Sequence, residues 1–92
     1  MNYKIIYTES YNKRAAKFIR KHPELIKQYE KTLKLLELNP FHPTLHLHKL
    51  SGKLNEIHAV YINISYRITM EFIFSEKTVI PVNVGTHDEI YV

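Results

Sequence analysis

The sequence predicts an α+β fold in which an N-terminal helical hairpin packs on one face of an antiparallel four-stranded sheet. Apolar residues recur at helical spacing in the first half of the chain, whereas apolar and polar residues alternate in the second half. A short stretch rich in tyrosine and isoleucine precedes the helices. The predicted element order is therefore β-α-α-β-β-β. With 92 residues, we expect one domain that spans residues 1–92 and has a modest core.

The first half of the chain predicts one strand and two helices. Asn2–Thr8 has the composition of a short strand, and Thr8 or Ser10 is a suitable N-cap for the helix that follows. The apolar faces consist of Tyr11, Ala15, Phe18, Ile19 and His22 in the first helix and of Leu25, Ile26, Tyr29, Leu33 and Leu36 in the second. Pro23 suits the first position of the second helix, which Asn39-Pro40 ends. Both apolar faces require a sheet to cover.

A long predicted strand, Tyr61–Phe74, dominates the second half of the chain. Its apolar side contains Ile62, Ile64, Tyr66, Ile68, Met70, Phe72 and Phe74, and its polar side contains Asn63, Ser65, Arg67, Thr69 and Glu71. Because side chains alternate across a strand, we expect the apolar side to face the core. The polar side is then either plain exposed surface or the floor of a functional site.

Two further strands complete the predicted sheet. Phe41–Ser51 is predicted to be a loop, Leu54–Val60 a strand, and Ser75–Lys77 a hairpin turn. Thr78–Val84 is the last predicted strand. Within it Pro81 indicates an edge position or an irregularity, because proline has no amide hydrogen to donate.

Composition and charge favour a cytoplasmic protein with an anionic partner. The net charge is +4, but residues 1–53 carry eleven of the thirteen lysine and arginine residues and only four of the nine acidic residues. A basic half of this kind suits RNA, DNA or an acidic protein, although such residues also simply solvate helix surfaces. There is no cysteine, no apolar run typical of a membrane span and no apolar block typical of a signal peptide.

No metal or cofactor site is predicted. His46 and His48 have the spacing of a bidentate site on a strand, and His42 or His87 would have to complete a ligand set. Zinc normally has three or four protein ligands, and no spacing in this chain matches a known ligand pattern. The sequence also has no phosphate-binding loop, dinucleotide fingerprint or nucleophile elbow.

The remaining candidates have the chemistry of phosphodiester cleavage. Cleaving RNA without a metal requires a base for the 2′-hydroxyl, an acid for the leaving 5′-oxygen and positive charge at the phosphate. His48 and His87 are candidates for the two proton transfers, and Arg67 is a candidate for binding the phosphate. Tyr91 is a candidate for stacking on a base. The candidate RNA contacts are Lys13, Lys17, Arg20, Lys49 and Lys53.

Each of these residues also has a purely structural interpretation. Arg67 suits a surface ion pair with Glu71, and His48 suits a hydrogen bond to the loop backbone. His87 suits a C-terminal helix cap, and Tyr91 suits the core. For each residue taken singly the structural role is the commoner one, so the spacing alone does not decide between them.

Three sequence motifs resemble those of the RelE/ParE superfamily, whose members are the toxins of type II toxin–antitoxin systems. These are His48-x-Leu50-x-Gly52, Tyr66-Arg67-Ile68, and Gly85-Thr86-His87 with Tyr91. The resemblance covers essentially the whole chain, and the YafQ-like and RelE-like messenger-RNA interferases are the most similar branch. It implies a basic toxin that enters the ribosomal A site and cuts mRNA there without a metal. It also implies a small acidic antitoxin, encoded in the same operon, as partner.

The resemblance implies roles for single residues. His48 corresponds to the loop histidine of the YafQ-like pattern, and His87 to a histidine that acts as catalytic acid or base. Arg67 corresponds to the arginine that steadies the phosphate, and Tyr91 to an aromatic position of that branch.

This chain departs from the YafQ-like pattern in its middle strands. YafQ-like members carry a second histidine and an Asp-Trp pair there. The corresponding residues of this chain are Tyr61, Ser65 and Tyr66. The implied site is therefore a hybrid in which the general base is not assigned.

Two other functions are compatible with this superfamily. A ParE-like inhibitor of DNA gyrase binds a protein and needs no proton-transfer residues. The presence of His48 and His87 therefore argues against this function. A non-toxic relative would bind its antitoxin and repress the operon without cutting RNA.

Overall fold

Within residues 2–50 and 57–90, which the computed structural model describes, five strands form one mixed sheet. The strands are β1 (Lys4–Ile5), β2 (His48–Lys49), β3 (Ile57–Tyr61), β4 (Tyr66–Ile73) and β5 (Thr78–Thr86). The helices are α1 (Glu9–Lys21), α2 (Ile26–Leu38) and α3 (His87–Ile90). The strand order is β1-β5-β4-β3-β2, and every neighbouring pair is antiparallel except β1 and β5, which are parallel.

The predicted ends of the two long helices are confirmed, and so is the predicted hairpin turn near Ser75–Lys77. The Thr8 hydroxyl accepts a hydrogen bond from the Tyr11 amide at 3.2 Å and caps α1. Pro23–Leu25 forms a short 3-10 turn that leads into α2, and Asn39 is the C-cap of α2. Phe74–Glu76 forms the turn between β4 and β5. Each of these features is set by short-range chemistry, which is why the sequence predicts it.

The α+β fold class is confirmed, because α1 and α2 pack on one face of the sheet and bury the core there. The core side chains are Tyr11, Phe18, Leu25, Tyr29, Leu36, Leu45, Val60, Ile68, Met70, Val79 and Val84. In α2 the prediction was wrong at Ile26, which is exposed, whereas Thr32 is buried with its hydroxyl donating to the Gln28 carbonyl at 2.8 Å. In the described part of the chain no helix is long and apolar enough to cross a membrane.

The predicted loop Phe41–Ser51 contains a strand that was not predicted. β2 pairs with β3 through His48 and Ala59, so the described residues form five strands and the predicted number of four is wrong. His46 has a left-handed backbone (φ 51°) and ends a short 3-10 turn just before this strand. Two residues are too few to show a strand alternation in the sequence.

The first strand is shorter than predicted and lies parallel to its neighbour. Of Asn2–Thr8, only Lys4–Ile5 pairs with β5. The Tyr3 amide instead donates to the Glu37 carbonyl of α2 at 2.7 Å, so the segment is shared between sheet and helix. The prediction of a fully antiparallel sheet was therefore wrong, since the composition of a strand does not reveal the direction of its partner.

The predicted strand Leu54–Val60 corresponds to β3 over its described residues, and the predicted strand Tyr61–Phe74 begins too early. Tyr61 is the last residue of β3, residues 62–65 form a tight turn, and β4 begins at Tyr66. The Asn63 side-chain oxygen accepts hydrogen bonds from the amides of Ser65 (2.8 Å) and Tyr66 (3.0 Å). Ile64, which was predicted to be core, lies in this turn and is 83% exposed. The alternation continues across the turn, but the asparagine hydrogen bonds reverse the chain there.

Pro81 marks an irregularity in β5, as predicted. Thr69 of β4 pairs with Asn83, whereas the next residue of β4 pairs with Pro81, so Val82 forms a bulge. The Val82 carbonyl accepts a hydrogen bond from the Arg14 guanidinium of α1 at 2.8 Å. The bulge is thus tied to the helical layer.

Two buried tyrosines join the helices. The hydroxyls of Tyr11 in α1 and Tyr29 in α2 lie 2.7 Å apart in the core. Burial raises the pKa of the Tyr11 phenol far above its usual value, and the neighbouring Tyr29 raises it further. Both hydroxyls therefore stay neutral and satisfy each other.

Removing one of these two hydroxyls should destabilise the protein almost as much as removing both. Tyr11→Phe leaves the Tyr29 hydroxyl buried without its partner, which costs about 1–3 kcal/mol in the free energy of unfolding. Adding Tyr29→Phe to that variant should cost little more. Urea unfolding of the wild type, both single variants and the double variant measures this coupling. Strictly additive losses would contradict a direct hydrogen bond between the two tyrosines.

Candidate active site

Side chains from three strands meet on the sheet face opposite α1 and α2. Arg67 of β4 pairs directly with Tyr61 of β3 and with Gly85 of β5, and His48 of β2 pairs with Ala59 of β3. Directly paired residues point to the same face of a sheet, and so do alternate residues of one strand. His48, Tyr61 and Arg67 therefore share one face, and the buried core lies on the other.

The Tyr61 ring is the centre of this group. The Arg67 guanidinium carbon lies 3.7 Å from the Tyr61 ring centroid, which is a cation–π contact. The His46 ring stacks on Tyr61 at 4.5 Å, and the His48 ring approaches it edge-on at 6.2 Å. We call these four residues the Tyr61 cluster. It holds one cation and two imidazoles against a single phenol ring.

The backbone of the β3–β4 turn orients Arg67. Its Nη1 donates to the Ile64 carbonyl at 2.8 Å and to the Asn63 carbonyl at 3.3 Å. A guanidinium has five N–H donors, so these bonds to one nitrogen leave other donors for an anion. Within the described residues, the partners of Arg67 are thus the turn and the Tyr61 ring rather than Glu71.

A backbone hydrogen bond sets the tautomer of His48. Its Nδ1 lies 2.7 Å from the His46 carbonyl oxygen. A carbonyl only accepts, so Nδ1 carries the hydrogen, and the neutral imidazole has its lone pair on Nε2. His48 therefore does make the hydrogen bond to the loop backbone that was considered as its structural role. The same bond prepares Nε2 to accept a proton.

His87 is the first residue of α3, and local chemistry determines its position. The Thr86 amide donates to Glu89 Oε1 at 2.8 Å, and the Glu89 amide donates to the Thr86 hydroxyl at 3.3 Å, which together form a capping box. These bonds to Thr86, with a small contribution from Lys21 and His22, lower the pKa of the Glu89 carboxyl. The capping interaction is therefore present at neutral pH and is lost as the pH falls through this lowered pKa.

Gly85 lacks room for a side chain because Glu89 folds back over it. A Cβ atom at Gly85 would lie 2.7 Å from Glu89 Oε1 and 3.1 Å from Glu89 Cβ. His87 itself is largely exposed, and its Nδ1 lies 3.5 Å from Asp88 Oδ1. It belongs to the start of a helix and not to the C-terminal cap that was the structural alternative.

The sheet register places His87 near the Tyr61 cluster. Arg67 pairs with Gly85 and the preceding residue pairs with Thr86, so α3 begins at the end of the sheet where Arg67 lies. The structure thus brings His48 and Arg67 into one cluster and starts α3 beside it.

The candidate RNA contacts divide between two surfaces. Lys49 follows His48 in β2 and is exposed at the edge of the sheet, where it pairs with His58 and lies on the face opposite His48. Lys13, Lys17 and Arg20 are exposed on α1, on the opposite side of the sheet from the Tyr61 cluster. Lys53 and Tyr91 lie outside the described residues. Among residues 2–50 and 57–90 no three histidine or acidic side chains are arranged to hold one metal ion.

Comparison with known proteins identifies the fold. No protein-family model and no curated protein sequence matches the chain. It is similar to the crystal structure of YafQ from E. coli strain BL21(DE3), with a TM-score of 0.78 and 15% identity over 98% of this chain and 99% of that one. It is also similar to a YoeB/ParE toxin from Agrobacterium tumefaciens, with a TM-score of 0.72 and 14% identity over 91% and 98% of the two chains.

A third similar structure is the E. coli DinJ–YafQ toxin–antitoxin complex, with a TM-score of 0.76 and 17% identity over all of both chains. This chain has the RelE/ParE toxin fold of the YafQ type. The predicted fold resemblance is confirmed.

Two residues of the Tyr61 cluster were not predicted to belong to the site. Tyr61 was predicted to begin a long strand and to occupy a position where this chain departs from the YafQ-like pattern, and His46 was considered only as a possible metal ligand. The signal for Tyr61 lies in Asn63 and Ser65, because an asparagine turn at that point makes Tyr61 the cross-strand partner of Arg67. No pattern in the sequence indicates the stacking of His46.

Gly85→Ala should disrupt the start of α3. The new methyl group displaces the Glu89 side chain, and the Thr86 amide loses its acceptor. Loss of such a cap costs about 0.5–2 kcal/mol, so amide hydrogen exchange at Thr86 should accelerate roughly 2- to 30-fold. Glu89→Gln is the matched control, because glutamine also closes a capping box. Equal Thr86 exchange in Gly85→Ala and wild type would argue against this steric role.

The Tyr61–Arg67 contact should appear as a coupling energy of about 0.5–1 kcal/mol. Urea unfolding of Tyr61→Leu, Arg67→Gln and the double variant measures it. Tyr61→Phe should retain the coupling, since phenylalanine keeps the ring face. Zero coupling in the leucine cycle would show that the guanidinium does not interact with the ring in solution.

Proposed function

We propose that this chain is the toxin of a type II toxin–antitoxin system and that it cleaves mRNA at the ribosome in the cytoplasm. Two features support the proposal. Two of the solved structures with the same fold are named as a toxin and as a toxin–antitoxin complex. The chain also carries basic and imidazole side chains suited to phosphodiester cleavage.

One observation carries the catalytic part of the proposal. His48 has its hydrogen held on Nδ1 by a backbone carbonyl, and it contacts the same Tyr61 ring as the Arg67 guanidinium. A base with a free Nε2 lone pair and a cation for the phosphate therefore stand together. This pairing is what cleavage by 2′-hydroxyl attack requires.

The proposed reaction proceeds by transfer within the RNA strand. His48 Nε2 takes the proton of the 2′-hydroxyl, and the 2′-oxygen attacks the adjacent phosphorus. The P–O5′ bond breaks, leaving a 2′,3′-cyclic phosphate, and protonated His87 donates its proton to the departing 5′-oxygen. Arg67 stabilises the negative charge that develops on the phosphate. These side chains supply every proton transfer, so the proposed route needs no metal ion.

The remaining candidate residues have binding roles in this proposal. Lys49 and Lys53 contact the phosphates of the mRNA strand, and Tyr91 stacks on a base. Lys13, Lys17 and Arg20 face away from the cluster, so we assign them to a second RNA surface, that of the ribosome. This assignment is supported by the position of the three residues on α1, on the opposite side of the sheet from the Tyr61 cluster.

The proposed protein partner is a small acidic antitoxin. The first 53 residues hold eleven of the thirteen lysine and arginine residues, so the exposed helices and the cluster both attract an acidic chain. A partly disordered antitoxin that folds on the toxin would neutralise it by covering this charge.

Replacing the proton-transfer residues should abolish toxicity. His48→Ala and His87→Ala should each lower the RNA cleavage rate by about 10²–10⁴, because a general base or acid is lost. Both should relieve growth arrest on expression. His22→Gln is the matched control, since His22 ends α1 on the helical side of the sheet. Cleavage assays with purified protein and growth curves after induction measure the two effects.

Full toxicity and unchanged cleavage in both alanine variants would contradict the proposed mechanism. Growth arrest with intact transcripts and a DNA damage response would instead indicate a ParE-like gyrase inhibitor. Intact transcripts without arrest would indicate a relative that only binds its antitoxin.

A further inference from the structure

A cavity of about 370 Å³ adjoins the Tyr61 cluster. Its lining includes Phe41, His42, His46, His48, Lys49 and His58. Its volume lies in the range of small-molecule sites, which is about 300–1,000 Å³. His46 and His48 belong both to this lining and to the Tyr61 cluster, so the cavity adjoins the candidate active site at the β2 edge of the sheet. Lys49 and His58, which pair with each other, line the cavity from the helical face.

Part of the cavity wall is held in place by an aromatic cluster. The Phe41 ring lies 6.1 Å from Phe72 and 6.1 Å from Phe74, and it stacks on the latter. The His58 ring lies 5.6 Å and 5.5 Å from the same two rings, which stack on each other at 4.2 Å. Another part of the wall, His46 and His48, is held by Tyr61. Flat rings backed by other rings make a preformed wall, and a preformed wall lowers the entropic cost of binding.

The polar groups of the lining have defined hydrogen-bonding roles. His42 Nδ1 accepts from the Thr44 amide at 3.2 Å and lies 2.6 Å from the Thr44 hydroxyl. Neutral His42 therefore carries its hydrogen on Nε2 and is a donor there. Lys49 adds an exposed positive charge. Aromatic faces, a fixed donor and a nearby cation are the features by which proteins bind unstacked bases of single-stranded RNA.

We propose that this cavity binds a nucleobase of the RNA strand beside the phosphodiester that is cleaved. The inference rests on the proposed function, because RNA held at His48 and Arg67 is what delivers a base to the cavity. The base stacks on the ring wall and accepts a hydrogen bond from His42. The cavity then sets the base preference at one position next to the cut.

Binding can be measured apart from cleavage with short single-stranded RNA in which every 2′-hydroxyl is methylated. The probes are this oligomer and a matched oligomer that has the same backbone and no bases. Full-length wild-type protein should bind the base-containing oligomer roughly 5- to 150-fold more tightly, which is the effect of stacking one base. Equal affinity for both probes would overturn the proposal.

Two variants test the cavity directly. Phe41→Ala removes a wall ring. His42→Asn removes the Nε2 donor but keeps an acceptor for the Thr44 amide. Both should reduce the affinity ratio several-fold, and thermal unfolding by circular dichroism checks their fold. Phe41→Leu replaces Phe41→Ala if the alanine variant unfolds. Tyr7→Ala is the matched control, because Tyr7 is an aromatic residue of similar exposure (46% against 55% for Phe41) outside the lining.

Mapping the cut positions on unmodified RNA separates this inference from the proposed function. Phe41→Ala and His42→Asn should change which base is found beside the cut, and Tyr7→Ala should not. Wild-type cut positions and a wild-type affinity ratio in both cavity variants would overturn the cavity while leaving cleavage intact. The wild-type protein could also cut no RNA and yet bind the base-containing oligomer more tightly, with Phe41→Ala losing that preference. This result would support the cavity as a nucleobase site and overturn the nuclease proposal. If the two cavity variants keep the wild-type affinity ratio for the two oligomers but bind the antitoxin more weakly, the cavity is an antitoxin site. This result would overturn the proposal of a nucleobase site.

Discussion

The candidate active site depends on the contact between the Arg67 guanidinium and the Tyr61 ring. It depends on the reversal of the chain at Asn63, which makes the two residues direct neighbours on β3 and β4. The turn carbonyls then hold the guanidinium over the ring, and the ring in turn contacts both His46 and His48. One short turn thus sets the geometry of a cation, a phenol and two imidazoles.

The sheet divides the chain into two sides with different tasks. The helices bury the core on one side and expose lysine and arginine residues outward. The Tyr61 cluster lies on the other side, and the ring-walled cavity lies at the β2 edge of the sheet, where residues of both faces line it. In the function we propose, this division would let a chain of 92 residues present a reactive face to the mRNA strand and a basic helical face to the ribosome.

The end of β5 shows how hydrogen bonds within a short motif position a side chain. Gly85 has no side chain, so Glu89 can fold back over it, and Glu89 and Thr86 cap each other. His87 is placed by that capping box as the first residue of α3. The Gly-Thr-His sequence and the glutamate two residues later are therefore one structural unit.

The parts of the protein that could be predicted from its sequence are those that neighbouring residues control. The helix ends at Thr8 and Asn39, the irregularity at Pro81 and the α+β class could all be predicted, because caps, breaks and apolar periodicity act within a few residues. Arg67 and His48 were predicted as candidates from their side-chain chemistry, and the structure brings these two side chains to one ring. The number of strands, the direction of β1 and the start of β4 could not be predicted.

Which side chains contact one another depends on the pairing of distant segments. Tyr61 and His46 entered the candidate site through pairing and stacking between segments, and a β-strand does not specify its partner in its own residues. The turn at Asn63 shows the limit most clearly. Apolar alternation continued through it and favoured one strand, while two side-chain hydrogen bonds reversed the chain. Local chemistry therefore determined the elements, and contacts between distant segments, which no local pattern encodes, determined the site.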